Sequence, residues 1–337
     1  MSLKEASAYL LPAIETELQR QIARLDEPST RPFHEMLTYH MGWTGEGAGP
    51  EARGKRIRPL LVLLTCAACD SDWRASLPAA AAIELVHNFS LVHDDIQDNS
   101  EKRRGRETVW VKWGKPQGIN VGDALFVLST QAILDLVPIH PVEIVIRAAG
   151  ILHNTCLDLT RGQYLDMSYE TRSVLTTDDY WSMVGGKTAA LLASCCALGS
   201  LLGDGDESTQ KAYLDFGHYL GLAFQVQDDL LGIWGDSAVT GKSSESDLVS
   251  RKKSLPVLYG LGKNGPFAKR WSEGPVSPKE VSDLAEQLAS EGARLYTQET
   301  SDQMSDLALQ SLRMADPKGQ AGDALFELIN KLLIREA

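Results

Sequence analysis

The chain has 337 residues, with 33 Lys and Arg against 45 Asp and Glu, a formal charge of −12, and 43% hydrophobic residues. No stretch carries the density of Lys and Arg that replaces phosphate counterions, which argues against nucleic-acid binding, and the apolar content is too high for a disordered protein. Length alone is compatible with two domains. The richest Gly/Pro/Ser stretches, Gly45 to Pro50, Gly235 to Ser246 and Lys263 to Pro278, are short and lie between helix-like segments, so the expectation is one large domain over 1–337.

From the N-terminus, Leu11, Ile14, Leu18, Ile22 and Leu25, with charges between them, read as an amphipathic helix and not a signal peptide. Helical periodicity then recurs at about 55–69, 78–98, 119–137, 142–168, 186–202, 207–233, 279–315 and 320–335, and no series of alternating strands interrupts it. Pro78 can open a helix in its first turn, and Ser277-Pro278-Lys279-Glu280 has capping-box spacing. The pattern predicts an all-α bundle. Segments 78–98 and 207–233 are apolar on more than one face, as helices in the middle of a bundle are. The five cysteines, Cys66, Cys69, Cys156, Cys195 and Cys196, are an odd number, which points to a reducing, cytoplasmic setting. Cys66 and Cys69 are spaced as C-x-x-C but lie in an apolar helical run, and read as core thiols before a redox or zinc site. A membrane span needs about 20 predominantly apolar residues; the nearest candidate, 188–203, is shorter and broken by Ser and Gly, so no transmembrane segment is expected.

The same two apolar segments end in aspartates. In Asp94-Asp95-Ile96-Gln97-Asp98, Asp94 and Asp98 share a helix face, continued backward by Leu91, His87 and Glu84, and their carboxylates can converge on one cation. Such a motif is tolerated at a solvated helix end or where divalent cations neutralise it, and alone leaves both readings open. The second cluster, Asp228-Asp229-Leu230-Leu231-Gly232, follows Phe224 and Gln225. Two such ends facing a cavity would offer what Mg²⁺ prefers: a few carboxylates, waters and phosphate oxygens. The implied ligand is a diphosphate. Cations stand where clamps for it are needed: Lys55, Arg56 and Arg58 before an apolar helix, Arg103-Arg104-Gly105, Lys187 after two glycines, Lys242, and Lys252-Lys253. Any one pair is an ordinary solvated charge; all of them in a chain of this charge read as a set.

The segments GKRIRP (54–59), IELVHNFSLVHDDIQD (83–98), RRG (103–105), GQYLD (162–166), GGKTAAL (185–191), FQVQDDLLGIWGD (224–236) and TGKSSESDLVSRKKSLP (240–256), in this order, resemble the trans-type isoprenyl diphosphate synthases, or polyprenyl synthetases. The resemblance runs from about Gly54 to Tyr259. It implies an all-α bundle of the isoprenoid synthase type around a central cavity, a homodimer, and head-to-tail condensation of isopentenyl diphosphate with an allylic diphosphate using Mg²⁺. It places Lys55, Arg58, His87 and Arg104 on isopentenyl diphosphate, and Asp94 and Asp98 on two Mg²⁺ ions with Asp228 on a third. Arg103, Lys187 and Lys252 would contact the allylic diphosphate, with Lys242 nearby, and Thr188 and Gln225 would stabilise the allylic cation. Ionisation, condensation and proton loss follow, the released diphosphate taking the proton because no protein base is evident.

Two positions depart from the family pattern. Gly232 stands where the second motif often has Asp, removing one acidic group near the third metal, and Trp110 stands where many relatives have His. Phe89, five residues before Asp94, would form a floor for the growing chain and implies a C15 to C20 product, although it also reads as ordinary core packing. Two alternatives remain at this stage. A class I terpene synthase has similar aspartates but no use for a second clamp, and a non-catalytic partner subunit of another prenyl synthase is kept open by Gly232.

Overall fold

The structure, a computed structural model, describes residues 2–172, 174–235 and 246–333. It is 78% helical. The first helix, α1 (Leu3–Ile22), opens on a capping box in which Ser2 Oγ accepts from the Glu5 amide and the Glu5 carboxylate accepts from the Ser2 amide. Its buried face runs through Leu10, Ile14, Leu18 and Ile22, with Leu10 taking the place that periodicity gave to Leu11. There follow α2 (Arg31–His40), α3 (Pro50–Arg53), α4 (Ile57–Ala68) and α5 (Leu77–Gln97), the last with Pro78 in its first turn. A two-stranded hairpin, β1 (Lys102–Arg103) and β2 (Arg106–Glu107), leads to α6 (Val109–Trp113), α7 (Lys115–Leu134), α8 (Val142–Thr171) and α9 (Thr177–Val184). A five-residue π-helix, Gly185–Ala189, joins α9 to α10 (Ala190–Leu202), and α11 (Glu207–Trp234) follows. Beyond it lie α12 (Ser246–Val249), α13 (Leu255–Lys263), α14 (Pro266–Ser272), α15 (Val281–Ser290), α16 (Ala293–Met314) and α17 (Gly319–Leu333).

One predicted helix is two. The 279–315 segment breaks at Gly292, whose φ of 92° ends α15 in the left-handed region that glycine adopts without a steric cost. The apolar periodicity runs across this break, so it is invisible to the period. Ser277 and Glu280 do pair as expected, the Glu280 carboxylate accepting from both the amide and the hydroxyl of Ser277 before α15 begins.

The chain folds as two compact units, each assembled from three separate stretches. The first comprises Met1–Asn154, Cys195–Gln210 and Asp316–Leu325, and α5 is its central helix, buried from Pro78 through Val86. The alanine run Ala79–Ala82 is fully enclosed, which lets neighbouring helices approach closely. The second comprises Thr155–Ser194, Lys211–Ala315 and Phe326–Ala337. Its core has two clusters, one around Tyr180, Val184, Leu222 and Leu255, the other around Ile233, Leu248, Phe267, Trp271 and Leu288. Two helical stretches, Trp73–Gln97 and Thr177–Leu202, are long and apolar enough to cross a membrane, but 67% of each apolar window is already buried against protein. The cysteines are free thiols, and burial pushes the pKa of Cys66 up to about 11 and that of Cys69 to about 12, out of the range of a reactive pair.

Arg56, counted among the clamp cations by its position in the sequence, points inward. Its guanidinium is 4% exposed and donates to Glu15 (2.6 Å) and Glu84 (2.7 Å), tying α1, α4 and α5 together. Removing one member of a buried ion set leaves the other charge unpaired, at about 3–5 kcal/mol. Arg56→Met should therefore lower the unfolding free energy by about that amount in urea titrations; a loss under about 1 kcal/mol would show that Glu84 finds water instead.

Candidate active site

In the first unit, three of the expected groups, Arg58, His87 and Arg104, come together, and two backbone turns place Arg104. Arg104 and Gly105 occupy the two central positions of the hairpin turn with φ of 52° and 76°, the type I′ pattern that demands positive φ at both. The turn carries the Arg104 side chain onto the Gly54 bend, where Nη1 donates to the Ala52 carbonyl at 2.9 Å. A β-carbon at Gly54 would come within 2.7 Å of the Arg104 guanidinium carbon, so the glycine is what makes room for it. Lys55 follows immediately and is exposed. Arg58, the second residue of α4, reaches the His87 ring of α5, Nη1 to Nε2, at 3.3 Å. Burial, reinforced by Arg58, Arg104, Arg103 and Arg56, drives the His87 pKa well below its ordinary value. His87 is thus a neutral imidazole among cations, with Nε2 accepting from Arg58 and Nδ1 left to carry the proton.

At the end of α5 the three aspartates divide. Asp94 is half-buried and Asp98 is exposed, one turn apart on the same face as expected. Asp95 is 2% exposed; its Oδ1 accepts from Arg103 Nε (2.9 Å) and lies 2.8 Å from Nη2, an ion pair that holds Arg103 beside the helix end. Trp110, which had no account from sequence, now has one: its Nε1 and the Thr108 hydroxyl both donate to the Ser100 carbonyl, at 3.0 and 2.9 Å, closing the loop that follows Asp98. Phe89 lies five residues before Asp94, packed at a tilt against Phe126 of α7 (5.3 Å between ring centres) and edge-on to His93 (5.7 Å). A small pocket lies behind the hairpin, lined by His40, Asp95, Arg103, Arg104 and Arg106.

The second unit holds the other cations and the second aspartate pair. Gly162 of α8 and Gly186 of the π-helix touch backbone to backbone; a β-carbon on Gly186 would sit 2.6 Å from the Asp158 carbonyl oxygen. The wide π turn is common at functional sites, and here it turns out Lys187, which pairs with Asp166, and Thr188, whose hydroxyl donates to Gln225 Oε1 at 2.8 Å. Gln225 Nε2 in turn donates to Asp229 at 3.0 Å. Asp229 is 1% exposed and also accepts from Tyr180 OH (2.8 Å), the Leu255 amide (3.1 Å) and Lys252 Nζ (3.4 Å). Burial opposes the charge on Lys252, but Asp229, Asp247, Asp228 and Asp166 outweigh it and hold the ammonium protonated. Lys253 is separate from this network, since its ammonium caps the C-terminal carbonyls of α8, among them that of Tyr169 at 2.6 Å. Asp228 is exposed. Lys242 lies outside the described residues.

In both pairs, then, the first aspartate faces outward and the second is buried against a cation and its neighbours. No group of three His, Cys, Asp or Glu side chains converges among the described residues. Carboxylate oxygens offered in ones and twos suit Mg²⁺, which keeps its waters and takes its remaining ligands from phosphate, so the residues present fit that ion. Tyr180 and Asp166 were missed by sequence reasoning. Asp166 lies in the quoted GQYLD segment, whereas Tyr180 had no local signal.

An all-α chain with two Asp-Asp helix ends, each backed by a buried ion pair, is the architecture of an enzyme that handles diphosphates. The polyprenyl synthetase family profile matches residues 49–288. The geranylgeranyl diphosphate synthase of Mycobacterium tuberculosis is 44% identical over 247 residues, 73% of this chain and 70% of that protein. A (2E,6E)-farnesyl diphosphate synthase of Mycobacterium bovis is 39% identical over 83% of this chain and 79% of its own length. The crystal structure of geranylgeranyl pyrophosphate synthetase from Pyrococcus horikoshii superimposes with a TM-score of 0.89 at 31% identity, over 99% of both chains. The chain belongs to the polyprenyl synthetase family, the trans-isoprenyl diphosphate synthases, which are prenyltransferases and generally Mg²⁺-dependent.

The buried histidines make a prediction. Burial beside Arg103, Arg104 and Arg56 pushes the His40 pKa down to about 3, and His87 is lowered as well. Both are neutral when folded, whereas an unfolded histidine takes up a proton below about pH 6.5. The unfolded chain then binds more protons, so stability is lost as the pH falls through 6.5, by up to about 1.4 kcal/mol per pH unit for each histidine. For His40 the loss continues to about pH 3. Urea titrations between about pH 7.5 and 5.5 should show this slope, and His87→Gln should flatten it; an unchanged slope in the variant would contradict a neutral, buried His87.

Proposed function

We propose that this chain condenses isopentenyl diphosphate head-to-tail with an allylic diphosphate and releases a prenyl diphosphate of C15 to C20. The observation that carries this reading is the gathering of Arg58, His87 and Arg104 from three separate segments, with Lys55 exposed next in the chain to the Gly54 bend on which Arg104 packs. A terpene synthase has no use for such a clamp, which sets that alternative aside. In this reading the clamp holds isopentenyl diphosphate, the neutral His87 donating through Nδ1 while Lys55 and the arginines supply charge. Asp94, Asp98 and Asp228 hold Mg²⁺, three ions in all, with Arg103, Lys187 and Lys252 on the allylic diphosphate and Lys242 beside them. When bound, the ions neutralise the diphosphate oxygens and so favour its departure from the allylic carbon. Thr188 and Gln225, fixed to one another and to Asp229, present oxygens of fixed direction to the developing allylic cation. The π electrons of the isopentenyl double bond form the new carbon–carbon bond, and the proton then lost goes to the released diphosphate.

Phe89 supports the C15 to C20 range, because Phe126 and His93 brace it against yielding to a longer tail. The names of the two mycobacterial relatives point to the same range. We read the two units as one catalytic domain, supported by the interleaving of their stretches along the chain. A cytoplasmic location is supported by the free, largely buried thiols, and checked by finding the native enzyme in the soluble cell fraction. A homodimer is supported by the apolar residues left exposed on α7 and the start of α8: Val127 at 55%, Leu134 at 57%, Val142 at 55% and Ile146 at 65%.

Purified protein given Mg²⁺, labelled isopentenyl diphosphate and, separately, C5, C10 and C15 allylic diphosphates should yield a defined prenyl diphosphate by mass spectrometry. Asp94→Ala should abolish that turnover, and Phe89→Ala should lengthen the product. Hydrocarbon formed from the allylic substrate alone would overturn the reading in favour of a cyclase. Light scattering should give a dimer mass, and Ile146→Asp with Val127→Asp should shift it to the monomer; a monomeric wild type would remove the dimer.

A further inference from the structure

The hairpin that presents Arg104 is fastened by an arginine that the site itself does not use. Arg103 and Arg106 are directly opposed across β1 and β2, so their side chains leave one face of the hairpin, where like charges repel. Each is compensated separately. Arg103 goes to Asp95. Arg106 goes to the end of α2 and the loop after it: Nη1 donates to the Tyr39 carbonyl at 2.8 Å, Nη2 to the Thr44 carbonyl at 2.7 Å and Nε to the Glu46 carbonyl at 2.9 Å. Its guanidinium carbon also lies over the Tyr39 ring, 3.9 Å from the ring centre. Tyr39, 8% exposed, returns the tie, its hydroxyl donating to the Glu107 carbonyl at 3.0 Å.

The loop is shaped around this side chain. Gly45 and Gly47 are left-handed, at φ 82° and 71°; a β-carbon on Gly45 would fall 2.7 Å from the Tyr39 ring, and one on Gly47 would fall 3.3 Å from Arg106 Cγ. The Gly49 amide donates to the Gly42 carbonyl at 3.1 Å, and a β-carbon on Gly42 would lie 2.6 Å from the Ala52 carbonyl carbon. The start of the loop therefore rests on α3, at the residue whose carbonyl accepts from Arg104 Nη1. One stretch of chain thus holds one hairpin at two points, through Arg106 at its first half and Arg104 at its second, and both arginines line the same small pocket. Three carbonyls around a planar fork suit arginine, whereas an ammonium on a flexible stem is a single point of charge. We propose that Arg106 is a positioning residue for isopentenyl diphosphate: it fixes the hairpin to the 42–49 loop and so sets where Arg104 delivers its charge. The assignment rests on the reading of Arg104 as part of the isopentenyl diphosphate clamp. Arg103 has its own anchor in Asp95, so loosening Arg106 reaches the allylic side much less.

The test is titration calorimetry with isopentenyl diphosphate on the full-length protein, with kcat and the KM for each substrate measured alongside. Arg106→Lys keeps the charge but loses the fork. It should weaken isopentenyl diphosphate binding and raise its KM by about tenfold, the worth of roughly one hydrogen bond to a charged group, while kcat and the allylic KM stay within about twofold. Arg104→Gln should weaken the same binding at least as much, and adding Arg106→Lys to it should cost little more, because residue 106 acts through residue 104. Tyr39→Phe, which removes only the tie to Glu107, should shift isopentenyl diphosphate binding in the same direction by a smaller factor. If Arg104→Gln weakens binding and Arg106→Lys does not, or if Arg106→Lys raises both KM values alike, residue 106 is structural only and the inference fails by itself. Additive losses in the double variant would also overturn it. If Arg104→Gln binds isopentenyl diphosphate like the wild type, the clamp reading falls and this inference falls with it. Should Arg106→Lys not fold, Tyr39→Phe decides, an unchanged affinity counting against the inference.

Discussion

A carboxylate buried at the end of an apolar helix must have its lone pairs matched, or it costs several kcal/mol, and Asp229 is matched four times over. Each donor comes from a different place: Tyr180 from α9, Gln225 from its own helix, the Leu255 amide from the start of α13 and Lys252 from the turn before it. The second unit's functional array is organised by this one residue. Gln225 is fixed by it, Thr188 is fixed by Gln225, and Lys252 is kept charged and in place. The phenol of Tyr180 is raised well above its ordinary pKa, by burial first and by Asp229 second, so it remains a donor at any working pH. Asp95 does the corresponding work in the first unit with one partner, its Oδ1 holding Arg103 through Nε and Nη2. The doubled aspartate is thus a division of labour, with the second carboxylate buried in the service of the protein and the first left more exposed.

The cationic cluster of the first unit poses the opposite problem. Arg56, Arg58, Arg103 and Arg104 all depress His87, and such crowding is costly unless charge is balanced locally. Glu84, 3% exposed and paired with Arg56, is the internal balance, and Glu15 shares it. Arg56 and Glu84 therefore serve as a neutralised foundation on which Arg58, Arg104 and Lys55 keep unspent charge. A histidine is well suited to that company because it can stay neutral. A lysine at 87 would have to hold a proton against four guanidinium groups.

Much of this was legible from residues because the chemistry is carried in short segments. Apolar period found the helices, and two acidic helix ends with surrounding cations pointed to a diphosphate before any resemblance was invoked. The physical reasons were less accessible. Arg-Arg-Gly reads as two charges, but its role depends on a type I′ turn that only positive φ at Arg104 and Gly105 reveals. Gly185-Gly186-Lys187 reads as the glycine-marked start of an ordinary helix before a cation, whereas it is a π-helix pressed on Gly162. Arg56 differs from Lys55 and Arg58 only in direction, and direction is set by the left-handed backbone at 56. Gly292 was lost because periodicity survives a helix break, and Tyr180 because a buried partner across 49 positions leaves no mark on its own segment.

Gly232 and Phe89 show how the same logic governs departures from a pattern. In a folded chain the relevant unit is a volume, and the volume beside Gly232 is taken by Asp247 of α12, whose Cγ would lie 2.8 Å from a β-carbon there. The volume beside Phe89 is likewise decided by α7: Gly122 leaves room for the His93 ring, a β-carbon there falling within 3.1 Å of its Cε1, and Phe126 closes the opposite side. Phe89 is held by two rings, so a substitution at Phe126 or Gly122 alters its packing without touching it.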